Sequence, residues 1–397
     1  MRFLQPRRPD ATMTGDDRID AARRRLVAAA TASLLLGGCG LFGDKKAPPA
    51  PLVEFRPSLN VVTAWSVSVG DGRDTFLQPA VHENAVYAAA ANGTVLRIDP
   101  GDGKVVWRAD VDTRLSAGVG TDGFTVAVAS VRGEVIALDA EGKIRWRAQA
   151  TSDVTAPPLV GRSLVIVRST DHRVSAFEAD SGKRRWVYSR QLPPLTLRGA
   201  TEMAFAGDNV LVGFPGGRMV AVALANGAAR WETPVSEPKG TTEVERLADV
   251  LGPVVVADGQ VCAASFQGRV MCADAASGTL RWSRELSAGA GVARDARSVY
   301  AVDAASHVHA FAAESGASLW RNERLAHRRL TTPLALAGAV VVGDLAGYVH
   351  FLSPGEGGFL ARVQVDSGPI TARPQAWGDS AVVLTSRGTL ARLVSQR

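Results

Sequence analysis

From Val86 onward, short apolar, β-prone runs alternate with polar turns, and no stretch carries a helical period for more than two turns. In 86–107, VYAAAANGTVLRIDPGDGKVVW, one run meets Asn92-Gly93 and a second ends at Asp99. A third run follows the Gly-containing turn 100–103 and closes on Trp107. Asn-Gly between two such runs is a strong hairpin signal, so the stretch predicts three antiparallel strands joined by two tight turns.

The same grammar returns along the chain. Gly93, Gly103 and Trp107 are spaced ten and four; Gly133, Gly142 and Trp146 nine and four; Gly217, Gly227, Trp231 and Gly268, Gly278, Trp282 ten and four again. Two copies keep Gly182–Trp186 and Gly316–Trp320 but place His172 and Ser306 at the first turn. A further copy has Gly347 and Gly357, with Ala361 where Trp is expected. The last has Gly388 and lacks its closing strand, while a strand of the missing kind, VVTAWSVSV with Trp65, lies at the other end. Trp65, Trp107, Trp146, Trp186, Trp231, Trp282, Trp320 and Ala361 thus mark eight repeats, 38–45 residues apart except for a gap of 51 after Trp231. A period near 40 with about four strands per unit predicts an all-β, eight-bladed β-propeller. The N-terminal strand would complete the C-terminal blade, and closure leaves only short, protected edges.

This architecture accounts for the recurring residues without any ligand. Each blade is a small sheet whose two faces are covered by its neighbours. The Trp supplies a large apolar plate between blades, and its N–H needs an acceptor. Asp99, Asp139 and Asp274 sit just before turns, where a carboxylate can bond nearby backbone N–H groups.

At 397 residues and 46% hydrophobic composition the chain can bury a large core. Its formal charge is +6, of which half comes from the first 38 residues with seven Arg and four Asp. No Lys/Arg run with interleaved aromatics occurs, which argues against a nucleic-acid partner. Arg23-Arg24-Arg25 precede the apolar segment LVAAATASLLL, which is shorter than the ~20 residues a bilayer span needs and reads as a signal-peptide core. It runs into Leu36-Gly37-Gly38-Cys39, which resembles the lipobox of bacterial lipoproteins and implies that Cys39 is lipidated as the first mature residue. Asp16, Asp17 and Asp20 are unusual in a signal, so Met13 is an alternative start to Met1. Gly40, rather than Asp, after the Cys implies an outer-membrane address on the periplasmic face. The Pro-rich, polar 40–58 reads as a semi-extended tether. The expected organisation is a signal peptide at 1–38, a lipid-anchored flexible tether at 39–58 and the propeller at 59–397.

Cys262 and Cys272 flank the turn containing Gln267-Gly268. If 266–268 form a three-residue loop the two face each other, and an oxidising compartment permits a disulfide; a one-residue shift of register would misalign them. Two connections are long, 188–200 and 234–250, and both flank the Trp231 blade. Long inserted loops of propellers cluster on one face and carry function. A third irregular segment, 325–333, holds basic residues read as solvated, with contact to a partner as the alternative. His307 and His309 are the only metal-like pair, with no third ligand evident, so no metal is expected. GVGTDG at 118–123 fits G-x-G-x-x-G, yet no helix follows it, so a dinucleotide site is not expected. No catalytic set or cofactor stands out.

RIDPGDGKVVW and CADAASGTLRW are similar to the A-x-D-x-x-x-G-x-x-x-W repeat of PQQ-type propellers, a family holding both quinoprotein dehydrogenases and non-enzymatic proteins. The lipobox, the eight repeats and the segments PPLTLRGA, TTEVERLADV and HRRLTTPLALAGAVVVGDLAGYVHFL make 33–397 resemble, more narrowly, the BamB family of outer-membrane lipoproteins. That resemblance implies a non-enzymatic scaffold of the β-barrel assembly machinery, the BAM complex, docking on the periplasmic domains of its central subunit BamA. By position it implies partner contacts from Leu195, Leu197 and Arg198 in the first loop and Asp249 in the second, with Arg246 also matching. Leu251 stands where the family often has a second acid. An exposed Leu-x-Leu-Arg suits an interface anchor; the alternative is that both leucines pack under their loop. Unfolded outer-membrane precursors are a further expected partner, through strand addition to blade edges. The alternative function, a PQQ-dependent periplasmic oxidoreductase, requires the quinone and usually Ca²⁺, with adjacent cysteines that this chain lacks.

Overall fold

The computed structural model describes residues 47–72, 75–191 and 193–396, and Pro49–Arg397 form one compact unit. The signal peptide and Cys39 lie outside the described residues. Among the described residues every regular element is a strand. The strands form eight sheets, each built on four antiparallel strands from an inner to an outer one, and one of the eight carries a fifth, parallel strand. Blade 1 covers 80–110, blade 2 120–149, blade 3 159–188, blade 4 204–234, blade 5 250–285, blade 6 288–322 and blade 7 334–364. Blade 8 takes three strands from 375–396 and its outermost from Asn60–Ser68, which pairs antiparallel with Thr389–Gln396 from Asn60↔Gln396 to Ser68↔Thr389. The ring is thus closed by a strand from the other end of the chain, as the repeat count predicts.

Burial follows the stacking. The second strands of blades 1 and 3, Ala85–Ala89 and Leu164–Arg168, are buried along their whole length. The outer strand Val105–Asp110 is only partly covered: Trp107 and Ala109, on one face, are half-buried and the rest are exposed, because successive side chains point to opposite faces.

Seven junctions share one device. The ring of Trp146, on the outer strand of blade 3's predecessor, lies on Gly182 in the next blade's turn, where a Cβ would come within 2.6 Å of the indole. Its Nε1 donates to Ala179 O at 2.7 Å. Trp65, Trp107, Trp186, Trp282 and Trp320 repeat both contacts on the following blade, with N–H···O distances of 2.8 Å. Trp231 lies on Gly278 in the same way, but its buried Nε1 has no acceptor. The Gly of the repeat is therefore required twice, by a positive φ and by the indole against it.

The eighth junction explains Ala361. Blade 8 has no third-to-fourth-strand turn, because its fourth strand comes from the N-terminus. The incoming chain fills the place instead: the amides of Ser58 and Leu59 donate to Leu360 O, and Leu59 and Val61 pack in the cluster that buries Ala361. Residues 50–58, read from sequence as tether, run against the propeller. Ala50 N donates to Ala326 O, Val53 O accepts from Arg362 Nη1, and Phe55 stacks on Phe359 at 5.2 Å. Phe55 gives this polar, Pro-rich stretch an apolar side chain to bury.

Blade 5 departs from the four-strand unit. Thr201–Glu202, at the end of the 188–200 connection, adds a short parallel strand to the inner edge of Val250–Ala257. Cys262 and Cys272 are direct partners across the three-residue loop 266–268, and their sulfurs are bonded at 1.94 Å.

Candidate functional site

In an up-and-down blade the second-to-third-strand turns and the connections to the next blade fall on one face. The 188–200 and 234–250 connections therefore share a face with the turns 169–173, 215–217 and 266–268. Asp249 joins these pieces. Its Oδ2 accepts from Leu197 N at 2.6 Å, its Oδ1 from Gly216 N at 3.2 Å, and its backbone O from Phe266 N at 2.9 Å. One residue, through its carboxylate and its backbone carbonyl, thus holds the first loop, blade 4 and blade 5 together. Burial raises the Asp249 carboxyl pKa, against the two amide bonds and nearby Arg168, which lower it.

The expected contact residues separate into two groups. Leu195 is 40% exposed and Arg198 is exposed, its Nη2 3.2 Å from Asp153 Oδ2. Leu197 is half-buried and held by its amide. Arg246 is exposed, with its own amide bonded to Thr242 O inside the second loop. Asp249 is set apart from them: it is 4% exposed, with both carboxylate oxygens accepting from backbone amides, and it ties down the loop that carries Leu195 and Arg198. Glu245 keeps the second loop folded on itself by accepting from the amides of Thr241 and Thr242, which hold its carboxyl near 2.

The first loop also spans the hub. Glu202, at its end, pairs with Arg373 at 2.8 Å, on the connection between blades 7 and 8, which the blade count places opposite blade 4. A cavity of about 670 Å³ beside it is lined by Arg198, Ala200, Leu77 and Ala372, among others.

Two residues that the sequence reading did not assign lie under the loop. Arg168, the last residue of a buried strand, is 8% exposed; its Nη2 is 2.6 Å from His172 Nδ1 and its guanidinium lies over the Phe214 ring. Burial lowers it to about 10, with Asp249 opposing. Burial, then Arg168, lowers His172 to about 4, with Asp171 opposing, so the ring is neutral at neutral pH. Its Nδ1 then accepts from Arg168 and its Nε2 carries the proton, 3.3 Å from Thr196 Oγ1. The available signal was His172 itself, which sits at φ 60 where the repeat calls for Gly.

Elsewhere on this face the structure revises two readings. Arg328, in the basic segment read as solvated, is buried and pairs with fully buried Asp344 at 2.7 Å, while its Nη1 donates to Ala50 O. The His307/His309 pair has a third group after all. Asp303 Oδ2 lies 2.8 Å from His307 Nδ1 and 3.0 Å from His309 Nε2. Arg321 Nη2, 2.8 Å from the same Nδ1, places a positive charge there that opposes a cation.

With this geometry in view, comparison with known proteins decides the family. The model of the family described as "Outer membrane protein assembly factor BamB" matches residues 91–322. The Bordetella pertussis protein of that name is 44% identical over 363 residues, covering 91% of this chain and 94% of its own. The chain belongs to the BamB family. The crystal structure of BamB from Moraxella catarrhalis superposes with a TM-score of 0.78 at 27% identity, over 84% of this chain and 99% of that one. A quinohemoprotein alcohol dehydrogenase from Comamonas testosteroni gives a TM-score of 0.68 at 15% identity, over 84% of this chain and 76% of its own, and so shares the fold alone. In this BamB-family chain the span matched by the family model, 91–322, includes the loop of Leu195 to Arg198 and Asp249.

Proposed function

We propose that this chain is a non-enzymatic scaffold of the outer-membrane β-barrel assembly machinery, held at the periplasmic face of the outer membrane through a lipid on Cys39. It docks on the periplasmic domains of BamA through the loops 193–199 and 241–249, and supports folding and insertion of outer-membrane proteins. The observation that carries this reading is the Asp249 clamp. It makes two connections 52 residues apart in sequence into one surface and leaves Leu195 and Arg198 outward on it. An apolar anchor beside an Arg on a fixed backbone is what an interface centre needs, because little ordering remains to be done on binding.

The supporting roles of the other residues follow. Leu195 and Leu197 supply apolar contact, Arg198 a charged hydrogen-bonding fork, and Arg246 and Asp249 hold the loop shapes. Blade edges are offered to unfolded precursors by backbone pairing, with outer-strand residues Val106, Leu280 and Leu319 each at least half exposed.

The test is a pull-down of BamA periplasmic domains by the Leu195→Ala/Arg198→Glu double variant. Retention drops at least tenfold while the β-rich circular dichroism is unchanged; full retention sinks the docking surface. Mass spectrometry of the membrane-bound chain shows acyl mass on Cys39, and a Cys39→Ala variant is released in soluble form.

A further inference from the structure

Arg168 lines a cleft of about 370 Å³ between the turn 169–173 and the loop 196–199, together with His172, Thr196, Thr155, Arg198 and Asp153. Its position is unusual. Among the described residues its one hydrogen bond goes to a neutral His172, and its buried Nε has no partner. Asp249 attracts it through space, but the Asp249 oxygens are engaged by the amides of Leu197 and Gly216. A guanidinium taken out of water without a bonded counter-ion is costly, and burial accordingly lowers its pKa.

The rest of the cleft carries a second cation that can be redeployed. Arg198 is paired with Asp153 at 3.2 Å, but its side chain is 72% exposed. Exposed pairs of this kind contribute little, so Arg198 exchanges partners readily. Neutral His172 adds no negative charge, and Thr155 and Thr196 add hydroxyls at the wall. The cleft therefore offers two guanidinium groups, Arg168 at its base and Arg198 at its rim, against one carboxylate, Asp153, which faces Arg198.

We infer that this cleft receives a carboxylate side chain of the docked protein partner, which pairs with Arg168 and draws Arg198 away from Asp153. This rests on the docking reading above and makes it more specific: the two leucines give apolar area, and the cleft selects a partner that presents an acid beside them. Charge complementarity at a desolvated Arg is worth far more than at a rim-exposed one. His172 is a positioning residue, because its Nδ1 holds one arm of the Arg168 fork in place.

The experiment titrates BamA periplasmic domains against the full chain and its Arg168→Met variant. Binding weakens at least tenfold, as for loss of one member of a buried charge pair, while the melting temperature is unchanged or higher because a buried unpaired charge has been replaced by an apolar side chain. A partner-side scan, each Asp→Asn and Glu→Gln in turn, finds one acid whose neutralisation weakens the wild-type chain at least tenfold and has no further effect on Arg168→Met. Equal binding by wild type and Arg168→Met, or a scan in which no acid matters, overturns the cleft and leaves the docking surface standing. A wild-type chain that binds no BamA domain overturns the docking reading and the cleft with it. If Arg168→Met fails to fold, the partner-side scan on the wild-type chain decides alone.

Discussion

Trp231 and its six counterparts make the same plate, yet only Trp231 leaves its buried indole N–H unmatched. The two replacements Trp282→Phe and Trp231→Phe lose similar apolar area, so their difference isolates the hydrogen bond. Trp282→Phe strands the Ala313 carbonyl and costs about 1 kcal/mol more than Trp231→Phe in denaturant titrations. His172 carries a second residue-scale prediction. Burial and Arg168 hold it near 4, below its ordinary 6.5, so the unfolded chain takes up the proton first as pH falls. Its stabilisation is full above about pH 6.5 and is lost progressively toward pH 4. His172→Gly, which suits φ 60 without strain, removes this slope. Thermal melts therefore show a larger drop from pH 7 to pH 5 for wild type than for the variant. The Trp and Gly roles were legible in sequence because each acts through a local turn at fixed spacing. Arg168 was not, because its significance lies in which groups fail to reach it.

Among the elements, the outer strands show what spacing alone did not convey. In blades 1 to 7 the third and fourth strands lose register beside the Trp position, as between Ala137 and Leu138, where Trp146 opposes Ala137 and Ile144 opposes Leu138. The skipped residue is Arg145, and such a bulge bends and twists its strand. The connections 188–200 and 234–250 were legible as long and irregular, and they do share a face. What the sequence did not show is that Asp249 faces inward. Asp249→Asn keeps an acceptor for one amide and turns an NH₂ toward the other, so the loop loses one of its two ties. Limited proteolysis then cuts near 190–199 faster than in wild type, and BamA binding weakens several-fold with the β signal in circular dichroism retained.

For the whole molecule, closure is the decisive feature, and it depends on nine residues from the far end of the chain. A chain starting at Val69 lacks Asn60–Ser68 and leaves Thr389–Gln396 as an open edge. It loses its single cooperative melt and assembles into larger species by light scattering. A permutant joining residue 396 to residue 59 through a short Gly-containing turn restores both, since Asn60 already opposes Gln396. The number of blades, their order and the closing strand were set by the amino-acid sequence itself, because each blade is built from local hairpins whose turn residues recur at a fixed period. Which side chains of the loop face look outward was decided only in the folded ring. Asp249 meets Leu197 and Gly216, and Arg168 is left without a carboxylate, through contacts between blades whose residues lie tens of positions apart, and no local pattern records them.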